Sequence, residues 1–248
     1  MLILLPPSES KATRARGLTL RPESIFAPSL GAPRARVADA LAITSERPDA
    51  ASVLGVSANL SQEIARNTRL RSAATLAARD LYTGVLYDAL DLSSLDPASS
   101  RRANRRLLVV SALYGAVRMS DRLSPYRLSM AVNLPGVGPL ATFWRPHLES
   151  VLPGAVGQGL IVDCRSSTYV AAWMPQDEMA KRWVSVRVPG ATHMAKHTRG
   201  LVAQALCRAA ADPRRAEALV ALLAPDFDVE LHAPERSGRP WVLDVQPA

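Results

Sequence analysis

The apolar run LLVV at 107–110 constrains this chain most, because of what stands on either side of it. Four consecutive aliphatic residues, closed off upstream by the basic cluster RRANRR at 101–106, read as a short buried strand. Where that strand ends, no bland turn follows. Within one short connection the chain places Ser111, Tyr114, Gly115, Arg118, Asp121, Pro125, Tyr126 and Arg127. A strand end presents such groups rigidly at a sheet edge, where ligand and catalytic residues concentrate. Two readings are open: a ligand site, or a structural loop whose tyrosines pack and whose Arg118 and Arg127 pair with Asp121.

Other segments read in the same way. MLILL is a buried first strand stopped by Pro6 and Pro7, with Ser8, Glu9, Ser10 and Lys11 presented in the loop beyond. Residues 12–34, rich in Arg and Pro, read as a surface loop. Helical patterning covers 35–46 and again about 58–79, where Leu60, Ile64 and Leu76 form an apolar side. Between them Gly55 supplies a turn and Ser57 a cap. Helix, short turn and second helix, with Arg66, Arg69 and Arg71, are compatible with a helix-hairpin-helix set against a phosphate; an ordinary surface turn fits as well. Farther on, FWRPHLESVL starts a helix, GLIVDC and SVRVP are strands, AKHTRGLVAQALCRAA and DPRRAEALVALLA are helices, and PWVLDV is a closing strand. The spacing is too irregular for a doubly wound repeat. The expectation is a mixed α/β fold, one domain over 1–248, with a central mixed sheet, flanking helices and a protruding helical lobe over about 35–80.

No apolar run approaches the roughly 20 residues that span a bilayer, and MLILL lacks the basic flank of a signal peptide, so the expected location is the cytoplasm. Cys164 and Cys207 have no metal-type spacing and read as small buried thiols. His193 and His197 stand one helical turn apart, but no third ligand is evident and Lys196 and Arg199 would repel a cation; neither a metal nor a cofactor is expected. The net charge of +8 permits a nucleic-acid partner without demanding one. Within it, only Lys11, Lys181 and Lys196 are lysines among 30 basic residues. Where a chain writes Arg almost everywhere, a retained lysine marks a place where a compact amine with a tunable pKa has no guanidinium substitute. For Lys196 a solvated helix position is the competing reading.

The 111–130 block also carries a resemblance. Its S-x-LYG segment followed by D…PYRL-x-M is similar to the signature of the YaaA family of bacterial peroxide-stress proteins. MLILLPPSESK at the amino terminus, LYTG at 81–84, DCRSSTY at 163–169 and AKHTRG at 195–200 agree in order. The resemblance implies survival of hydrogen peroxide by limiting free intracellular iron and protecting DNA, and it implies binding of duplex DNA without sequence preference. It departs from pattern at Thr168, where many relatives carry an acid, and in PPSESK, which makes Lys11 a safer carry-over than Ser8.

If the matched strand and helix ends converge, they form one pocket rich in hydroxyls and basic groups, suited to an anion. Lys196, Lys11 and Tyr114 are its candidate catalytic residues, since a lysine amid arginines should have a lowered pKa and serve as base or nucleophile. Ser8, Tyr82, Thr83, Arg118, Tyr126, Arg127, Ser166, Tyr169 and Arg199 are the candidate ligand contacts, with Asp163 and Arg165 beside them. Ser57, Arg66, Arg69 and Arg71 are the candidate nucleic-acid contacts. The alternative to the DNA-binding stress protein is an enzyme acting on a small anionic or nucleotide-like substrate in that pocket.

Overall fold

Unbroken aliphatic runs belong where both faces of a sheet are covered, and the computed structural model, which describes residues 1–190 and 194–247, places them there. The strands are β1 (Leu2–Leu5), β2 (Leu76–Ala77), β3 (Leu107–Ser111), β4 (Gly115–Val117), β5 (Arg122–Leu123), β6 (Asn133–Leu134), β7 (Gly138–Pro139), β8 (Ile161–Asp163), β9 (Trp183–Arg187), β10 (Phe227–His232) and β11 (Trp241–Pro247). Seven of them form one mixed sheet in the order β10-β11-β9-β8-β1-β3-β4. Five central strands run parallel, and β10 and β4 close the two edges antiparallel. β1 lies inside the sheet between β3 and β8, with Ile3 opposite Leu107 on one side and Val162 on the other. The chain leaves β1 for β3 on one side and later returns to β8 on its other side. The strand order therefore reverses at β1, and the crevice beyond the carboxyl ends of β1 and β8 is where an open sheet of this kind takes a ligand.

Local chemistry explains the elements that frame this edge. The helix Pro97–Arg106 starts with proline behind an Asp96 cap, whose carboxylate accepts from Ala98 N at 2.8 Å and Ser99 N at 3.1 Å. At its other end Arg106 donates to the carbonyls of Leu206, Ala209 and Ala211, closing the carboxyl terminus of the helix Met194–Arg208. That helix carries the AKHTRG segment, and its Gly200 lets it sit against Leu86: a Cβ there would lie 2.2 Å from the Leu86 carbonyl oxygen. Arg34 is buried in the helix Gly31–Ser45 and donates to the carbonyls of Phe26, Ala27, Tyr114 and Ala116, tying the helical region to the β3–β4 hairpin.

Three segments differ from the sequence expectation. The stretch after LLVV is not a single connection: the chain turns after Ser111 and returns as the strand β4, with Gly115 at φ +71°. The helix expected over 58–79 is broken: a new helix begins at Ala78, Leu76–Ala77 is extended against Arg122–Leu123, and Ala58–Arg69 is helical in short α and 3-10 pieces. Asn67 ends the helix there. Its buried carboxamide accepts from Arg127 N at 2.8 Å and donates to Arg127 O at 3.0 Å, while Thr68 and Ser72 bond back to carbonyls three residues earlier. Val37, Leu41, Leu54, Ile64 and Leu70 join the same apolar core as the sheet. The third difference is β10, a strand that lacks an apolar run and gains its place by pairing along β11.

Candidate functional site

The loop after β1 is built to hold Lys11 still. Tyr87 donates its hydroxyl to Pro6 O at 2.7 Å, Thr83 N donates to the Ser8 hydroxyl at 3.2 Å, and Ala12 N donates to Leu81 O at 2.9 Å beside the Lys11–Tyr82 bridge. LYTG and PPSESK, distant in sequence, thus form one surface, with the Ser10 and Thr83 hydroxyls 3.5 Å apart. The amine of Lys11 donates to Ser8 O at 2.8 Å and Glu9 O at 3.4 Å, and stands 4.1 Å from the centre of the Tyr126 ring and 5.7 Å from that of Tyr82. Beneath it runs a hydroxyl chain. Tyr82 and Tyr126 hydroxyls are 3.3 Å apart, Tyr126 and Ser111 hydroxyls 2.7 Å, and Ser111 accepts from Tyr114 N at 3.1 Å.

Charge at this edge is distributed unevenly. Arg127 claims the nearby carboxylates, reaching Glu9 at 3.3 Å and Glu63 at 3.4 Å. Lys196 is exposed and approaches the other Glu9 oxygen at 3.9 Å. Burial, with the Arg127 guanidinium alongside, lowers the pKa of Lys11 to about 7, against the opposing pull of Glu63 and Glu9. A lysine that is half neutral near pH 7 suits base or nucleophile chemistry, and here it is Lys11. Burial drives Tyr82 and Tyr126 well above the usual phenol range and Tyr169 up to about 12, so all three stay protonated donors.

Ser8, Lys11, Tyr82, Thr83, Tyr126 and Arg127 are thereby brought together, and Glu9 links Lys196 to them. Ser166 lies exposed at the start of the short helix Ser167–Val170, and Tyr169 follows within it. The remaining candidates serve elsewhere. The Tyr114 hydroxyl both accepts from Ser124 N at 3.1 Å and donates to Ser124 O at 3.2 Å. Arg118 lies at the opposite end of β3, donating to Arg105 O and Leu107 O and stacking on Phe26. Its backbone, not its side chain, bonds Asp121, and Arg127 does not pair with Asp121 at all. Arg199 donates to Val186 O at 3.2 Å. Asp163 and Arg165 form a buried ion pair at the end of β8. A cavity of about 310 Å³ shares Tyr82 and Thr83 with the edge, and its Asp80, Asp88 and Asp91 carboxylates make it unsuited to an anion.

His193 lies outside the described residues. Among the described residues no group of three or more His, Cys, Asp or Glu side chains is placed to hold a metal ion, and no helix is long and apolar enough to cross a membrane. Both thiols are buried, and burial pushes Cys164 and Cys207 up to about 12. Neither should react with iodoacetamide or be oxidised by micromolar peroxide in the native protein, and both should label in denaturant. Alkylation of either in the folded chain would contradict this inertness.

Of the candidate nucleic-acid residues, Ser57 caps its own turn by accepting from Asn59 N at 3.4 Å, Arg66 is half-buried, Arg69 is exposed and Arg71 pairs with Asp39 at 2.6 Å. Sequence reasoning missed their neighbours. Thr75 donates both its N–H and its hydroxyl to Leu18 O, each at 2.8 Å, so the loop bearing exposed Arg14, Arg16 and Arg21 lies along the 66–75 turn. The arginines themselves were visible; the pairing that brings them there was not.

A family model described as "Peroxide stress protein YaaA" matches residues 1–231. The chain belongs to the YaaA family. Among YaaA-family relatives, it is similar to a UPF0246 protein of Streptomyces coelicolor, 47% identical over 99% of this chain and 98% of that one. UPF0246 proteins of Corynebacterium efficiens and Corynebacterium glutamicum are 39% and 35% identical, covering 87% and 90% of this chain and 87% and 91% of theirs.

Proposed function

We propose that this YaaA-family chain acts in the peroxide stress response by binding duplex DNA in the cytoplasm, as part of limiting free intracellular iron and protecting DNA. One observation supports this reading above the others. Arg14, Arg16, Arg21 and Arg69 are exposed on two segments pinned together by the Thr75–Leu18 bonds, and among the described residues none of the four has a carboxylate partner. Exposed guanidinium groups without carboxylate partners attract phosphates without reading bases. Fluorescence anisotropy of a labelled duplex across a salt series tests it. Affinity should fall steeply with salt, and Arg14→Ala/Arg16→Ala/Arg69→Ala should flatten the log–log slope by about 2–3, at roughly 0.9 for each phosphate no longer neutralised. Lys196→Arg should leave binding as it is. An unchanged slope in the triple variant, or no binding of the wild type at low salt, defeats the reading.

A second reading is favoured by the edge at β1. The hydroxyls of Ser10 and Thr83, 3.5 Å apart, and the exposed Ser166, with Lys196 nearby, suit a small anionic or nucleotide-like ligand at the point where the strand order reverses. The two surfaces serve different partners on one molecule.

A further inference from the structure

Lys11 is the most unusual basic group in the chain. It is one of only three lysines, it is half-buried in the loop that follows β1, and Arg127 takes the carboxylates that would otherwise pair with it. Its acceptors are two backbone carbonyls, Ser8 O at 2.8 Å and Glu9 O at 3.4 Å. A neutral primary amine has two N–H bonds and one lone pair. The two carbonyls use the first; the lone pair takes the position where an ammonium would carry its third N–H, toward the Tyr126 ring 4.1 Å away, so attack on a ligand requires rotation at the end of the side chain.

We propose that Lys11 is a nucleophile that condenses with the carbonyl group of a small anionic aldehyde or ketone. This rests on the second reading above and names its substrate class. The Nζ lone pair adds to the carbonyl carbon, the C=O π pair moves to oxygen, and a proton transfers from nitrogen to that oxygen to give a carbinolamine. Loss of water, with the second Nζ proton leaving alongside hydroxide, gives the neutral imine. No oxidant or reductant is consumed. The hydroxyls of Ser10 and Thr83, 3.5 Å apart on the same loop surface, are donors for an anionic substituent on the same molecule, while the Ser8 hydroxyl is spent on Ser10 O. The charged and titratable groups around Lys11 are Arg127, Glu63 and Glu9, with Tyr82 and Tyr126 beneath; burial and Arg127 favour the neutral form, and the two carboxylates and the tyrosine ring faces oppose it.

The test uses the intact chain, pyridoxal 5′-phosphate as probe and borohydride to reduce any imine, with peptide mass spectrometry reading all three lysines at once. At pH 7 Lys11 should label about 10- to 100-fold faster than Lys181, less than the roughly thousand-fold gain in neutral amine because a less basic amine is also less nucleophilic. Its rate should rise with pH and level off above about 7, whereas an ordinary solvated amine keeps gaining up to about pH 10. Pyridoxal, lacking the phosphate, should label Lys11 more slowly, and inorganic phosphate should protect it. Labelling of Lys11 no faster than Lys181 overturns the nucleophile. Fast labelling that neither phosphate nor loss of the probe's phosphate affects keeps the nucleophile and overturns the anionic substrate. Because Lys181 and Lys196 are read in the same molecule, no variant has to fold for the result to count.

Discussion

Replacing Arg165 with methionine should destabilise the protein by about 3–5 kcal/mol, the cost of leaving a buried carboxylate without its cation. The guanidinium and carboxylate are both fully buried. Arg165 donates through Nε to Asp163 Oδ1 at 2.8 Å and through Nη2 to Oδ2 at 2.6 Å, a two-point contact that only a planar fork makes. Nη2 also reaches Trp173 O and Nη1 reaches Tyr169 O, so the same residue ties down the chain from 163 to 173. Trp183 Nε1 adds a fourth bond to the carboxylate at 3.0 Å from the neighbouring strand β9, after the backbone N–H of Arg165 itself. Arg165→Lys should recover little, because one ammonium cannot occupy both oxygens and two carbonyls. The double variant Asp163→Leu/Arg165→Met should recover a large part, since a buried pair costs most when only one partner is removed. With a urea m-value of about 2–3 kcal/mol/M, the single variant should lower the midpoint by about 1–2 M. A midpoint within about 0.3 M of wild type, or a double variant as unstable as the single, would show that water reaches the pair and that it holds nothing in place.

This pair also shows what a sequence can and cannot disclose. DCRSSTY reads as a cluster of polar groups following a strand, and that much is right. Whether Asp163 and Arg165 face a ligand or each other depends on burial, which the flanking strands decide and the local sequence does not. The same ambiguity governs Tyr114 and Arg118, whose polar atoms are spent on Ser124 and on the start of β3. Unbroken aliphatic runs made β1, β3 and β8 legible, because such runs have few alternatives to a doubly covered strand. β10 was not legible, because Glu230 and His232 within it give no apolar run and its place is set by β11. Among the lysines, the scarcity signal pointed to Lys11 and Lys196 together. The choice between them follows from burial beside Tyr126, a contact between residues 115 positions apart in the chain.

Gly115→Ala should cost about 2–4 kcal/mol, combining roughly 1 kcal/mol for a side chain in the left-handed region with about 1–3 kcal/mol for overpacking. Gly115 has φ +71°, and a Cβ on it would lie 2.5 Å from Trp144 Cζ3 and 2.9 Å from Cε3. The indole has nowhere to retreat. It is fully buried in the helix Leu140–Glu149, and its Nε1 donates to Ala112 O at 2.8 Å, on the same hairpin as Gly115. A methyl group therefore pushes the ring away from the turn to which the ring is bonded. The strain passes along the hairpin to Ser111, whose hydroxyl orders Tyr126 beneath the Lys11 amine, so labelling of Lys11 should slow as well. Trp144→Phe alone should also destabilise, by removing the indole bond and leaving space. Together the two substitutions should be less harmful than their sum, with a coupling of about 1–2 kcal/mol, because the smaller ring makes room for the methyl. Urea midpoints of the four proteins and the near-ultraviolet signal of the tryptophans measure this. Strict additivity would mean that the cost at Gly115 is backbone strain alone, and a loss below about 0.5 kcal/mol would mean that the turn relaxes without consequence for the site.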